Sequence, residues 1–197
     1  MRALLKILVK FFQTFINRFK YKFNIPFDVE YINLPITYSC NARCVMCDIW
    51  KINKEDKEKL NSEITVPQLI EFFEKNKSRL KRLKNIGITG GEPSLKENLI
   101  ELIRYLRKNY PKVRIGIQTH GLTPKSILPW VSEIYKVYPN VGIAVSLDGM
   151  RESHEKMRGI SQAFERTLET IKGIQEIGVR EITCGLTITK WNIDDIL

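Results

Sequence analysis

Within eight positions the chain places Cys40, Cys44 and Cys47, in the run C-N-A-R-C-V-M-C. Spacings of three and then two residues let one wrapped loop aim three sulfurs at three corners of a cuboidal iron-sulfur cluster. The fourth iron is then left without a protein thiolate. An iron with open coordination sites can bind a small chelating ligand, such as an amino acid's amine and carboxylate, and pass it an electron. Two other readings of these thiols stay open. Structural zinc wants four closed ligands, and the remaining cysteine, Cys184, lies far along the chain. Uncoordinated thiols would be core residues, although Asn41, Arg43 and Asp48 are poor company for a core. Three of four cysteines crowded into one loop do not make a spread disulfide framework, and they point to a reducing compartment.

Three further groups stand out. Thr89-Gly90-Gly91-Glu92-Pro93 offers two residues without side-chain bulk, so that backbone can come close to a ligand, and Glu92 could accept from an ammonium. Gln118-Thr119-His120-Gly121 and Ser146-Leu147-Asp148-Gly149 follow, the latter leading to His154 and Arg158-Gly159. Each group ends a short apolar run. Five such runs read as strands, at Tyr31 to Tyr38, Asn85 to Thr89, Val113 to Thr119, Val141 to Leu147 and Glu181 to Thr189. Helical periodicity fills the intervals at Val66 to Leu80, Lys96 to Lys108, Pro124 to Val137 and Ala163 to Ile177. Such alternation predicts an α/β fold of parallel strands with right-handed crossovers, whose site forms at the carboxyl ends of the strands. Lys51 to Lys59 reads as a charged, solvated loop, His154 as part of a solvated helical turn, and Cys184 as a core residue of strand five.

Cys-x3-Cys-x2-Cys directly after a first strand resembles the signature of the radical S-adenosylmethionine (radical SAM) superfamily, and Gly90-Gly91-Glu92-Pro93 resembles its Gly-Gly-Glu-Pro element. The strand-four segment is similar to that of members that modify peptides or carry a C-terminal SPASM-type cluster domain; the molybdenum-cofactor cyclase group is also close. The resemblance implies a partial parallel (β/α) barrel. It implies a 4Fe-4S cluster on Cys40, Cys44 and Cys47, and S-adenosyl-L-methionine beside it. Gly90, Gly91 and Glu92 would hold the methionyl amino group. Met46, where the family often has an aromatic residue, would lie near the adenine. Ser146 would contact the ribose, and Arg158 would help neutralise the carboxylate, with a surface ion pair to Glu152 or Glu155 as its plainer role. His120 occupies the asparagine position of a common Thr-Asn-Gly element, which makes it a candidate for contact with cofactor or substrate. Leu186 to Asp195 resembles the fifth strand leading into its next helix, with Asn192 as an N-cap. The resemblance covers about residues 31–197 and ends after the fifth strand, so residues 26–197 are expected to form a C-terminally incomplete core. What it implies chemically is reductive cleavage of S-adenosylmethionine to a 5'-deoxyadenosyl radical that abstracts hydrogen from an unidentified substrate. An external donor such as flavodoxin or ferredoxin would supply the electron. A barrel that binds cluster or partner without turnover is the alternative.

The chain has 197 residues, 43% hydrophobic, enough for one sizeable core. Its net charge is +10, and six of the basic residues (Arg2, Lys6, Lys10, Arg18, Lys20, Lys22) lie in the first 24 positions with no acid among them. Leu4, Leu5, Leu8, Phe12, Phe15, Ile16 and Phe19 recur there at helical spacing. Residues 1–25 therefore read as a basic amphipathic N-terminal helix. It suits an anionic membrane surface or a protein face, and an adaptor working only through this helix is a third reading of the chain. No nucleic-acid motif is visible, and no run approaches the ~20 apolar residues of a spanning helix. The expected location is cytoplasmic, with residues 1–24 either at a membrane surface, which would make the protein peripheral there, or packed on this protein's own barrel or a partner.

Overall fold

The computed structural model describes residues 2–23 and 28–195. The boundary expected between residues 25 and 26 lies outside the described residues. Helix α1 spans Arg2–Lys22, and the first strand, β1, spans Tyr31–Pro35. Two short helices follow, α2 (Ile49–Glu55) and α3 (Lys57–Asn61), and then α4 (Val66–Lys75). The chain continues through β2 (Asn85–Thr89), α5 (Leu99–Asn109), β3 (Arg114–Thr119), α6 (Pro124–Val137), β4 (Gly142–Ser146), α7 (Arg151–Arg158), α8 (Ala163–Ile177) and β5 (Glu181–Gly185).

The five strands form one parallel sheet in sequence order. Alternation along each strand sorts its residues between two faces. On one face Ile86, Ile88, Ile115, Ile117, Ile143 and Val145 are buried against the helices, which contribute Phe73, Leu102, Ile103, Ile127, Val131 and Ile174 to a single core. On the other face Gly87, Gly116 and Gly142 fall in register across three strands and line an open cavity of about 320 Å³. The sheet is thus the wall of an unclosed barrel with its helices outside.

Several expected boundaries move, each for a local reason. β1 falls short of Tyr38 because the Tyr38 N–H turns to the Glu63 carboxylate, which also accepts from the Thr37 hydroxyl and is itself paired with Lys96 at 3.1 Å. α4 ends at Lys75, five residues early, where Asn76 Nδ2 donates to Phe72 O at 2.8 Å and closes the last turn. At its start, Thr65 and Gln68 form a reciprocal capping box. The stretch 51–59 is helical rather than a loop: Lys and Glu are good helix formers, and Asp56 caps α3 by accepting from Lys59 N at 2.8 Å. β5 ends at Gly185 rather than Thr189, because Thr187 N donates to Asp148 instead of continuing the ladder. Cys184 is exposed, not core; β5 is an edge strand, and among the described residues only a 3-10 turn follows it.

Candidate active site

Loops from all five strands meet at the carboxyl edge of the sheet around a cavity of about 250 Å³. Cys40, Cys44, Cys47 and Met46 line one side of it. Gly90, Gly91, His120, Ser146 and Arg158 line it too, with the Arg158 guanidinium 3.5 Å from Cys44 Sγ. Of the residues expected to hold the cluster or S-adenosylmethionine, Glu92 alone stays behind the wall, fully buried.

The cysteine loop is held from three directions. Arg43 N and Val45 N donate to the carbonyls of Arg158 and Met157 at the end of α7. Trp50 Nε1 donates to Cys44 O at 3.2 Å, and His120 Nε2 meets Asn41 Oδ1 at 2.5 Å. The thiols sit among Ala42, Leu122, Ala163 and Ile160. This apolar surrounding disfavours thiolates: burial pushes the Cys40 thiol up to about 11, and Cys44 is raised for the same reason. Against that, the Arg158 guanidinium, 3.5 Å from Cys44 Sγ, pulls the Cys44 value down.

The glycine loop interlocks with the start of the cysteine loop, backbone against backbone. Gly91 N donates to Thr37 O at 2.7 Å, and Glu92 N donates to Ser39 O at 2.7 Å. Gly90 has φ +134°, and a Cβ there would meet Thr37 O at 2.6 Å. Both conditions require glycine. The Glu92 carboxylate accepts from Thr119 Oγ1 at 2.9 and 3.0 Å, from His120 N at 2.9 Å and from Ser94 N at 3.2 Å. Its oxygens are engaged by the protein, joining the end of β2 to the end of β3.

Behind Ser146 lies a buried polar cluster whose hub the sequence reading passed over. Asp148, fully buried, accepts at Oδ1 from Thr187 N at 2.9 Å and faces Arg158 Nη2 at 2.7 Å through Oδ2. Arg158 therefore turns inward to Asp148 rather than outward to Glu152 or Glu155. Asp148 N donates to His154 Nδ1 at 3.0 Å, and His154 Nε2 reaches Thr167 Oγ1 at 3.2 Å. His154 is fully buried, contrary to the solvated turn expected of it, because α7 lays it against α8. Burial foremost, then the Arg158 charge, lowers its pKa to about 4. Asn192 is equally buried; its Nδ2 donates to Asp148 O at 2.6 Å and Thr187 O at 2.8 Å, stitching the loops after β4 and β5 together. The Asp148-Gly149 turn and the spacing to His154 and Arg158 were visible in the sequence, but only the fold brings these side chains together with Asn192.

The family model of the radical SAM superfamily matches residues 34–197. The chain belongs to the radical SAM superfamily. Fe-coproporphyrin III synthase of Methanosarcina barkeri is 30% identical over 167 residues, which is 82% of this chain and 37% of that protein. GTP 3',8-cyclase of Helicobacter pylori is 29% identical, covering 86% of this chain and 50% of that enzyme. The chain thus spans half or less of the length of these relatives. The crystal structure of Streptococcus suis SuiB bound to precursor peptide SuiA superposes with a TM-score of 0.63 at 19% identity, over 86% of this chain and 35% of that one. This likeness shows the shared open-barrel fold.

Radical SAM proteins use a 4Fe-4S cluster and S-adenosylmethionine, and the site has the chemistry for the pair. Among the described residues, no three of His, Cys, Asp or Glu converge on one point as a mononuclear metal requires. The three thiols instead line one apolar pocket side by side. That arrangement suits separate irons of one cluster better than a single zinc. Beside the Cys44 thiol, Arg158 Nε is buried without a hydrogen-bond partner, a donor available to an anionic group.

Proposed function

We propose that this chain is the catalytic core of an enzyme that cleaves S-adenosylmethionine reductively and directs the product at a substrate. The observation that carries the reading is the meeting of three cysteines, a glycine loop, Ser146 and Arg158 around one cavity at the carboxyl ends of the strands. When bound, the cluster and S-adenosylmethionine supply an electron and a carbon-sulfur bond whose cleavage gives a 5'-deoxyadenosyl radical able to take hydrogen from a substrate.

The residues of the chain bind, orient and shield. Cys40, Cys44 and Cys47 ligate three irons, and each must shed its proton as metal enters. Burial opposes that loss at Cys40 and Cys44, and the Arg158 charge eases it at Cys44. Backbone at Gly90 and Gly91 receives the methionyl amino group; Glu92 contributes by fixing that loop's shape, since its carboxylate is occupied by Thr119, His120 and Ser94. Met46 covers the adenine with a polarizable side chain, and Ser146 meets the ribose. Arg158, held by Asp148 through Nη2, offers Nε to the carboxylate.

An external donor of the flavodoxin or ferredoxin kind supplies the electron, in a reducing, cytoplasmic setting. The substrate is a separate question: the relatives include an Fe-coproporphyrin III synthase, a GTP 3',8-cyclase, a mycofactocin maturase and a sporulation killing factor maturation protein.

The test is anaerobic reconstitution with iron and sulfide, reduction, and assay of 5'-deoxyadenosine for the wild type and Cys44→Ala. Product from the wild type alone supports the reading. A bound cluster without product favours a binding module, and failure to bind iron sinks the proposal.

A further inference from the structure

Among the described residues, α1 is the helix whose large apolar side chains stand in solvent along its length. Leu5, Leu8, Phe12, Phe15 and Phe19 are between 51% and 66% exposed, and Phe11 reaches 75%. Contiguous apolar surface of this kind marks an interaction site on an otherwise polar molecule. At the helical turn of about 100° per residue, these positions share an apolar arc of about 200°, from Ile7 round to Val9. Lys10 and Asn17 fall on the opposite side, and Lys20 lies just outside the arc beside Val9. Arg18 and Lys22 fall within the arc, but in the last turns of the helix, where long cationic side chains can reach back to headgroups.

The arc is wider than the narrow seam that two paired helices need, and it is rich in phenylalanine. The polar side carries no acid, with Lys10 standing there among Thr14 and Asn17; the first acidic residue of the chain is Asp28, which already holds Lys20 at 3.2 Å and Arg82 at 3.4 Å. No helix among the described residues is long and apolar enough to cross a membrane. A wide apolar face, an acid-free cationic side and the lack of spanning character together fit a helix lying in a bilayer interface.

We propose that α1 docks this protein flat on a membrane of anionic lipid, with its phenylalanine face among the acyl chains and its lysines and arginines at the headgroups. The site is separate from the cysteine cavity and does not rest on the chemistry proposed there.

The full chain should co-sediment with vesicles of phosphatidylglycerol and phosphatidylcholine in equal parts. It should bind phosphatidylcholine vesicles at least tenfold more weakly, and added salt should release it from the anionic ones. Phe12→Ser combined with Phe15→Ser should abolish sedimentation. Lys10→Gln and Lys22→Gln should each weaken binding to anionic vesicles about fivefold. Cys44→Ala should sediment like the wild type, which keeps this result distinct from the fate of the cluster. Circular dichroism establishes that each variant retains the folded sheet and helices. Equal binding to both vesicle types, or no sedimentation, overturns the proposal. So does a dimer seen by light scattering that the two serine substitutions dissolve and vesicles do not, since the apolar face would then belong to a second copy.

Discussion

The imidazole Nε2 of His120 stands 2.5 Å from Oδ1 of Asn41, so the end of β3 grips the cysteine loop across 79 positions of sequence. Leu122 N donates to the other ring nitrogen at 2.9 Å. That bond fixes the tautomer: Nδ1 accepts, and Nε2 carries the proton given to Asn41. Burial holds the His120 pKa below the ordinary histidine value, which favours the neutral ring this arrangement needs.

His120→Ala should therefore cost ~1–3 kcal/mol in urea unfolding, since it strands a buried backbone donor as well as Asn41. The same variant should lose iron faster after reconstitution. His120→Gln, which can still reach Asn41 through an amide, should retain more iron than the alanine. Equal iron loss in the two would show that the clamp is not what holds the loop.

Removing Arg158 leaves Asp148 as a buried charge without its cation. For Arg158→Ala we expect about 3 kcal/mol of lost stability, in the range found when one partner of a buried pair is deleted. The Cys44 thiol should also titrate higher, because the guanidinium 3.5 Å away opposes the effect of burial. Alkylation of apo protein as a function of pH, with Cys44 followed by peptide mass, measures this directly. An unchanged profile would refute the electrostatic part.

His154 makes acid sensitivity predictable. Its folded pKa is lowered to about 4, whereas an unfolded histidine titrates near ~6.5. Between those values the unfolded chain binds a proton that the folded chain does not, so stability is full above ~6.5 and drains away as pH falls toward 4. His120 is shifted in the same direction and adds to the slope. His154→Gln should flatten part of the decline while lowering stability at neutral pH. Urea midpoints of both proteins between pH 4 and pH 7 test it, and parallel curves would speak against the assignment.

Gly91→Ala should uncouple the loops after β1 and β2, because a Cβ there runs into the backbone of Ser39. The obstruction is main chain and cannot swing away, so a penalty of ~1–3 kcal/mol is expected, together with impaired iron retention. Thermal unfolding and iron content after desalting report the two effects. Gly116→Ala, with nothing within 4 Å of its Cβ, is the matched control and should leave both nearly unchanged.

How much of this was legible beforehand depends on whether a residue's role is local. β2 and α6 begin and end where the apolar periodicity does, and the cysteine spacing gave the site its centre. The strands β1 and β5 end short of their apolar runs because Glu63 and Asp148 capture the backbone N–H groups of Tyr38 and Thr187 from a distance. Arg158 and Glu92 were noticed, but their partners, Asp148 and the pair Thr119 and His120, lie on other strand ends. Charge density hid α2 and α3, since Lys and Glu at high frequency suggest solvent while also favouring helix. Cys184 misled in the opposite sense: its apolar strand is real, but the strand lies at the sheet edge.

The glycine row across β2, β3 and β4 is of a different kind from the glycines of the site. Gly87, Gly116 and Gly142 all have ordinary negative φ, so any residue could adopt their backbone. They are small because the lumen is kept bare, and its wall there is peptide plane instead of side chain. Such a wall is cheap to remodel. At Gly116 an added methyl would meet no resistance, and at Gly87 it would displace only the Tyr31 hydroxyl. The bore of this half-barrel can therefore be narrowed one methyl at a time without disturbing the loops that carry the chemistry, so the shape of the chamber and the integrity of the reaction centre are free to change independently.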